Sequence, residues 1–293
     1  MTPEEAAHEV RRIEITTRHL VRDIVAGEYS SAFRGRGVEF AEVREYQPGD
    51  DVRTIDWNVT ARLGSAYVKR YLEERELSVL FVVDLSASGG FGSRRRTKGE
   101  LSTEVTAVLA LAAARNNDRI GAIFFTDRVE YHLGAAKGRR HVLRLISDLL
   151  AFEPAGSGTD LGAALAELEP TLRRRAVIFV LSDFMTTGHE TVLARLARRH
   201  DVVALQLVDP RERQLPAAGL VTLWDPETDQ WRRVDTDASA VRAYFAGRAE
   251  AFDRDLAQTL RERNVDLLRL ETGQSYAEPL LTFFRRRERM LWR

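Results

Sequence analysis

The chain has 293 residues and no cysteine, so disulfide bonds are excluded and nothing in the composition indicates an oxidising compartment. Its 44 basic residues balance its 44 acidic residues, which argues against a dedicated nucleic-acid-binding protein because such a protein needs a basic excess on one face. No signal peptide is visible, and no apolar run approaches the roughly 18 residues that span a bilayer, so we expect a cytoplasmic protein with no membrane span.

An amphipathic helix is predicted at the N-terminus. Thr2 is a suitable N-cap, Pro3 suits the first helical position, and Glu5 follows the cap by three residues. The helix is expected to end near Gly27. Its apolar face should pack on the main domain, with the groove of a partner protein as the alternative. This face contains Val10, Ile13, Thr17, Leu20, Val21 and Ile24.

The segment from Tyr29 to Glu76 contains short extended pieces separated by turns. Alternating apolar and polar residues predict strands over 38–43 and 67–72, and a turn is predicted over 47–50. Between them, residues 51–58 mix Asp, Arg and Trp. This segment is compatible with a ligand surface or with salt-bridged turns around a half-buried Trp57, and we favour the turns.

Beyond residue 76, strand patterns alternate with helix patterns. Buried strands are predicted over 77–83, 119–126, 176–181 and 201–208, and helices over 98–115, 138–151, 161–172 and 189–199. A strand over 128–133 follows a single turn residue, so it should form an antiparallel hairpin at a sheet edge. The alternation predicts a mostly parallel sheet with helices on both faces. The remaining patterns are expected to complete this sheet: a hairpin (221–224 and 230–234), a helix (238–263), a strand (265–270) and a final helix (276–292).

Oxygen-bearing side chains follow the first buried strand. Asp84, Ser86 and Ser88 occupy the first, third and fifth positions after it, so they can converge on one point. Carboxylate and hydroxyl oxygens are hard ligands that suit Mg²⁺ rather than zinc or copper, although the same residue types are also ordinary turn and N-cap residues. Two later residues could complete a metal site, because Thr159 follows a glycine-rich turn and Asp183 follows a second apolar strand.

This order of residues resembles the metal-ion-dependent adhesion site of the von Willebrand factor A family, whose pattern is D-x-S-x-S, then Thr, then Asp. The resemblance also implies that the strands ending before Asp84 and Asp183 are neighbours, at the edge where ligands bind in open α/β sheets. The sequence departs from the family pattern at Ala87 and Phe184, where glycine is common. The residues that the resemblance assigns to Mg²⁺, with Mn²⁺ or Ca²⁺ as alternatives, are Asp84, Ser86, Ser88, Thr159 and Asp183.

A second resemblance covers most of the chain. Residues 35–40 (GRGVEF), 44–58 (REYQPGDDVRTIDWN) and 73–76 (EERE) resemble the signature of the bacterial domain-of-unknown-function family numbered fifty-eight. The resemblance implies an N-terminal helix and extended arm over 1–76, packed on a von Willebrand A-like α/β domain over 77–293. In this fold class the sheet is mostly parallel, has an antiparallel edge strand and carries helices on both faces.

The expected function is a non-enzymatic, metal-dependent protein–protein interaction. In adhesion domains the cation keeps a vacant ligand position that accepts an acidic side chain from a partner protein, and analogy implies the same here. Members of the bacterial family are often encoded beside MoxR-type AAA+ ATPases, which implies such an ATPase as a partner. The protein would then be an adaptor in the assembly or remodelling of other proteins.

Two other functions remain as alternatives. A Mg²⁺-dependent phosphohydrolase of the haloacid-dehalogenase type uses D-x-D, but the second position here is Ser86, which has no acid–base role at neutral pH. A nucleotide-binding protein would use the glycines of G-x-G-x-x-G, but Arg95 follows Gly90 and Gly92 at the third position. There is no cysteine and no G-x-S-x-G motif to support a nucleophilic hydrolase. Basic runs, typical of solvated helix ends and loops, lie at 94–96, 173–175 and 285–287.

Overall fold

The computed structural model describes residues 3–24, 32–33, 38–48, 50–73, 77–225 and 229–291. The chain divides into two compact units. The smaller unit is Arg34–Glu76, and the larger unit combines Met1–Phe33 with Leu77–Arg293. The N-terminal helix therefore belongs to the same compact unit as the sheet, and the residues between them form a unit of their own.

The helices and strands lie close to the positions that the sequence predicts. The helices are α1 (Pro3–Asp23), α2 (Trp57–Leu63), α3 (Lys98–Arg115), α4 (Arg139–Ala151), α5 (Leu161–Leu168), α6 (Glu190–Ala197), α7 (Pro210–Arg213), α8 (Ser239–Glu262) and α9 (Ala277–Leu291). The strands are β1 (Val38–Glu45), β2 (Tyr67–Glu73), β3 (Ser78–Asp84), β4 (Arg119–Phe125), β5 (Val129–Ala136), β6 (Val177–Ser182), β7 (Asp201–Val208), β8 (Leu220–Asp225), β9 (Gln230–Asp235) and β10 (Asp266–Glu271).

The larger unit is built on a six-stranded sheet with the order β10-β7-β6-β3-β4-β5. Neighbouring strands are parallel except for β5, which runs antiparallel to β4 at the edge. Strand β3 lies between β4 and β6, so the strands that end at Asp84 and Ser182 are neighbours. The predicted fold class is confirmed: a von Willebrand A-like, mostly parallel sheet with an antiparallel edge strand and helices on both faces.

Each face of this sheet carries its own hydrophobic core. Along β3, Val79, Phe81 and Val83 face one core, and Leu80 and Val82 face the other, as the alternation of side chains along a strand requires. Helices α1, α3, α4 and α9 contribute to the first core, and helices α5, α6 and α8 contribute to the second. A strand that is buried on both faces is continuously apolar, which is why β3 and β6 were visible in the sequence.

Helix α1 packs against α3 and α4. The side chains on its predicted apolar face are buried, apart from Leu20, which is half-buried against the same core. The hydroxyl of Thr17, on this face, donates to the carbonyl of Ile13 at 2.6 Å, so its burial leaves no unsatisfied donor. The predicted N-cap Thr2 and the predicted end at Gly27 lie outside the described residues.

The smaller unit contains an antiparallel pair of strands, β1 and β2, and the short helix α2. The predicted turn is present, because the amide of Asp50 donates to the carbonyl of Gln47. The expectation of a half-buried Trp57 is wrong, since 70% of this residue is exposed. Asp56 takes the buried position instead: its carboxylate accepts from the amides of Asn58 and Val59 and caps α2, which directs Trp57 outward.

The C-terminal region differs from the prediction in one respect. Strand β10 joins the sheet beside β7, with Asp266 opposite Val203, as expected. The hairpin β8–β9 does not complete the sheet but forms a two-stranded sheet of its own, with Trp224 opposite Trp231. Strand β10, and not the hairpin, is the neighbour of β7 at this end of the sheet. Among the described helices, none has the length and apolar character needed to cross a membrane.

Candidate functional site

Asp84 lies at the carboxyl end of β3 and is only 7% exposed. One oxygen, Oδ1, accepts a hydrogen bond from the amide of Ser86 at 3.0 Å. The other, Oδ2, accepts from the hydroxyl of Ser182 on the neighbouring strand at 2.6 Å. Both partners are neutral donors, so their hydrogen bonds fix the carboxylate without neutralising its charge.

Hydrogen bonds connect three more of the predicted residues to Asp84. The chain makes a short 3₁₀ turn after Ser86, which brings the hydroxyls of Ser86 and Ser88 to 3.2 Å from each other. The hydroxyl of Ser88 donates to Oδ2 of Asp183 at 3.0 Å. Four of the predicted ligands, Asp84, Ser86, Ser88 and Asp183, are therefore linked in one continuous network.

Thr159 reaches this region through its backbone. Its carbonyl accepts from the hydroxyl of Thr186, three residues after Asp183, at 3.3 Å. Two residues earlier, the carbonyl of Ser157 accepts from the amide of Ala87 at 3.0 Å. These bonds hold the Thr159 loop against both strand-end segments.

Glu130, on the edge strand β5, anchors the Thr159 loop. Its carboxylate accepts from the amides of Ala155 and Gly156, both at 2.7 Å. Burial alone would raise the pKa of Glu130, but these bonds and that from Thr126 outweigh it and lower the pKa. A Cβ at Gly156 would lie 2.2 Å from Oδ1 of Asp127, so only glycine fits this position without a rearrangement.

Lys98 is buried beside the candidate ligands, although no sequence pattern predicts it there. It is the first residue of α3, and its ammonium donates to Oδ2 of Asp183 at 2.8 Å and to Oε1 of Glu212 at 2.5 Å. Burial would lower the pKa of Lys98, but Asp183 and Glu212 outweigh it and raise the pKa, so the ammonium stays charged. A capping box of Thr97 and Glu100 at the start of α3 is visible in the sequence, but the direction of the Lys98 side chain is not.

Asp209, at the carboxyl end of β7, fixes the glycine-rich loop that follows the candidate ligands. Its carboxylate accepts from the amide of Ser93 at 2.8 Å and from the hydroxyl of Thr272 at 2.6 Å. Burial would raise the pKa of Asp209, but these bonds lower it. The amide of Asp209 in turn donates to Glu212, the second partner of Lys98, so the network extends along the carboxyl edge from β3 to β10. The pattern D-P-x-E at 209–212 is the sequence signature of a capping box at the start of α7.

The charge and donor types at this edge suit a small hard cation. Burial, and then the negative charge of Asp183, raise the pKa of Asp84 to about 6, which marks a carboxylate in need of a positive neighbour. A cavity of about 10 Å³, roughly one water-sized sphere, is lined by Asp84, Ser88 and Asp183 together with Lys98. The residues therefore fit the expected cation, with Lys98 as a competitor for Asp183.

Phe184 adopts a conformation that explains one departure from the family pattern. Its φ is 61°, in the left-handed region where glycine is favoured, and its amide donates to the hydroxyl of Ser182. The side chain is buried in the second core. Burying a phenylalanine side chain contributes about 1.5–3 kcal/mol, which offsets a backbone cost of about 1–2 kcal/mol. Phe184 thus adopts a conformation that favours glycine while its side chain contributes to the second core.

The sheet order and the carboxylate–hydroxyl cluster at the ends of β3 and β6 place this chain in the von Willebrand A-like class of α/β proteins. More specifically, the chain belongs to the family described as "Protein of unknown function DUF58", whose model matches residues 42–254. The chain is 34% identical over 284 residues to the uncharacterized protein Rv1480 of Mycobacterium tuberculosis, covering 96% of this chain and 89% of the relative. The same values hold for the uncharacterized protein Mb1516 of Mycobacterium bovis.

Solved structures with similar folds come from several organisms. An aerotolerance-related membrane protein from Bacteroides fragilis has a TM-score of 0.50 and 15% identity, covering 72% of this chain and 99% of that chain. The conserved hypothetical protein BatB from Bacteroides thetaiotaomicron has a TM-score of 0.48 and 13% identity, covering 73% and 99%. The VWA domain of SpRpn10 has a TM-score of 0.38 and 12% identity, covering 70% and 93%.

Proposed function

We propose that this protein is a non-enzymatic protein-interaction module whose binding face is the carboxyl edge of the sheet around Asp84. A divalent cation, Mg²⁺ or else Mn²⁺ or Ca²⁺, would be held there by Asp84, Ser86, Ser88, Thr159 and Asp183 and would supply a ligand position for an acidic side chain of a partner. The observation that supports the proposal is the hydrogen-bond network that runs from Asp84 to the amide of Ser86, between the hydroxyls of Ser86 and Ser88, and from Ser88 to Asp183.

The network favours binding over phosphoryl transfer. Nucleophilic phosphohydrolases need a second acid–base group beside the attacking carboxylate, and Ser86 stands at the corresponding position. Asp183, the carboxylate whose charge acts on Asp84, is already bonded to Ser88 and Lys98. No group in this network is placed both to attack and to transfer a proton.

A nucleotide-binding role for the loop at 90–93 is also disfavoured. A phosphate would need free backbone amides in this loop. The amide and the hydroxyl of Ser93 are both bonded to the buried carboxylate of Asp209. This negative charge would repel a phosphate at the same place.

The partner that the family resemblance implies is a MoxR-type AAA+ ATPase, and we propose a cytoplasmic adaptor role beside it. An acidic side chain on the ATPase would reach the cation, so association should need both the metal and the serine hydroxyls. Pull-down of a co-encoded MoxR-type ATPase should weaken in EDTA and in the Ser86→Ala variant. If capture is undiminished both in EDTA and with Ser86→Ala, the metal does not take part in the interaction.

The metal is tested directly by thermal unfolding. Saturation with Mg²⁺ or Mn²⁺ at about 100 times the Kd adds about 2.7 kcal/mol, which raises Tm by roughly 5 °C or more in a chain of this size. Asp84→Asn should abolish this rise, because it removes a charged ligand and keeps the side-chain shape. Asp255→Asn, an exposed position on α8, is the matched control. An equal rise in both variants would place the cation elsewhere.

A further inference from the structure

A wide groove opens beside the candidate cation site. Its volume is about 1660 Å³, well above the roughly 300–1,000 Å³ of pockets for drug-sized ligands. Ser86 lines the end nearest the cation site, and the groove continues between helix α1 and the loops that carry Arg94 and Ser157. Leu149 and Phe152 give it an apolar section. A groove of this size and composition suits an extended polypeptide segment.

The acidic side chains of the groove are already engaged. Glu9 is paired with Arg12, and Glu104 is paired with Arg96 at 2.6 Å. The carboxylate of Glu100 accepts from the amide of Thr97 in the capping box of α3. The charges of Glu9 and Glu104 are therefore balanced by their arginine partners, and the carboxylate of Glu100 is held at the start of α3.

Two arginines in the groove are not engaged in this way. Within the described part of the chain, Arg94 and Arg95 make no ion pair, and both are exposed. Arg96, the third member of the basic run, differs because it donates to the carbonyls of Thr272 and Gln274. The stem of Arg94 lies on the backbone of Gly273, where an added Cβ would be 3.0 Å from Cγ of the arginine. Arg94 thus lines the groove, and among the described residues its guanidinium has no ion-pair partner.

We propose that this groove binds an extended acidic segment of a partner protein, with its carboxylates on Arg94 and Arg95 and a further acidic residue at the Ser86 end. This inference rests on the proposed function, because the last residue would be the one that reaches the cation. A guanidinium can form paired hydrogen bonds with a carboxylate, and the positive end of the α3 dipole lies in the same groove at Thr97 and Gly99. A nucleic-acid strand has a negative charge at every nucleotide and needs a basic excess, whereas the four arginines and four glutamates that line the groove balance. An acidic segment with a few spaced carboxylates needs only Arg94 and Arg95.

The test is fluorescence anisotropy on the full chain with a labelled dodecapeptide of Glu, Ser and Leu. A second dodecapeptide, with Lys in place of each Glu, is the charge control. We expect the acidic peptide to bind, and the double variant Arg94→Glu/Arg95→Glu to weaken it by roughly tenfold. Gly90→Trp should weaken binding without a change of charge, because Gly90 lines the groove and its side-chain position is open.

The matched control is Arg173→Glu/Arg174→Glu, which reverses two charges at the opposite, amino-terminal edge of the sheet before β6. An equal loss in this variant would mean general attraction to a basic surface and would overturn the proposal. If a twelve-nucleotide oligothymidylate binds at Arg94 and Arg95 more tightly than the acidic peptide does, the groove is a phosphate-binding site and the proposal is overturned. Absence of binding by the acidic peptide would do the same.

Peptide binding and thermal unfolding together separate the groove proposal from the cation proposal. If Mg²⁺ fails to stabilise the protein but the acidic peptide still depends on Arg94 and Arg95, the groove stands and the metal proposal falls. If Mg²⁺ stabilises the wild type and not Asp84→Asn, while the peptide does not bind, the groove proposal falls alone. Both effects together, with tighter peptide binding in Mg²⁺ than in EDTA, support one continuous binding face.

Discussion

At the scale of single residues, Lys98 has the largest consequence for the candidate site. It is 2% exposed and lies between two carboxylates, Asp183 and Glu212, so it is a cation that the chain itself supplies. It makes no described contact with Asp84, whose pKa is raised by burial and by Asp183. Lys98 therefore neutralises charge at Asp183 and Glu212. It leaves the carboxylate of Asp84 without a described cationic partner.

Lys98→Met should destabilise the protein by about 3 kcal/mol in EDTA, because it leaves two buried or half-buried carboxylates without their cation. The rise in Tm on adding Mg²⁺ should be larger in this variant than in the wild type, since the metal would no longer compete with the ammonium for Asp183. Urea unfolding in EDTA and thermal unfolding with and without Mg²⁺ measure the two effects.

Lys137→Met, at the half-buried lysine after β5, controls for the loss of a lysine elsewhere. A stable Lys98→Met protein whose response to Mg²⁺ equals that of the wild type would contradict the competition. It would mean that the ammonium and the metal do not share Asp183.

At the scale of elements, the loop that carries Thr159 depends on a glycine. Gly156 approaches Thr126 and Asp127 at the end of β4 so closely that a Cβ would lie 2.4 Å from Oγ1 of Thr126. Gly158, in the same loop, has room, with Cβ of Asp127 at 3.6 Å. These two glycines offer a pair of substitutions that differ in steric effect but not in chemistry.

Gly156→Ala should lower the affinity for Mg²⁺ by displacing the Thr159 loop, although it changes no candidate ligand. It should also cost about 1–3 kcal/mol of stability through local overpacking. Gly158→Ala should change either quantity much less. Titration of Mg²⁺ by isothermal calorimetry, together with urea unfolding, tests both variants. Equal Mg²⁺ affinity in the two alanine variants would show that the loop does not contribute to the site.

Sequence patterns determine the central strands of this fold but not the contacts between its elements. The contiguous apolar residues of β3 and β6 identify central strands, and the D-x-S-x-S pattern then places Asp84 at a strand end. Patterns fail where the decisive contact is between elements. The direction of Lys98 depends on Asp183 and Glu212, which are 85 and 114 residues away in the chain. The hairpin β8–β9 has the alternation of a sheet strand, but this local pattern does not show that its two strands pair with each other in a separate sheet.

At the scale of the whole molecule, buried titratable groups couple stability to pH in opposite directions. Burial, and then the charge of Asp183, raise the pKa of Asp84 to about 6, so its contribution is present at low pH and is lost as the pH rises through 6. Burial lowers the pKa of His200, so its contribution is present above the unfolded pKa of about 6.5 and is lost as the pH falls. The measured profile is the sum of such terms, and single variants are needed to separate them.

His200 lies at the junction before β7, where its Nδ1 accepts a hydrogen bond from the amide of Ala176 at 3.3 Å. Protonation would place an N–H against this amide in a buried position, so the folded state favours the neutral ring. Between pH 7.5 and 5.0, the free energy of unfolding of His200→Gln should therefore fall less than that of the wild type, because glutamine accepts without titrating. Urea unfolding at intervals of half a pH unit measures the difference. His132→Gln, on the exposed edge strand, is the control. A difference that grows in the opposite direction would mean that the folded state favours the protonated ring and that the bond to Ala176 does not set its titration.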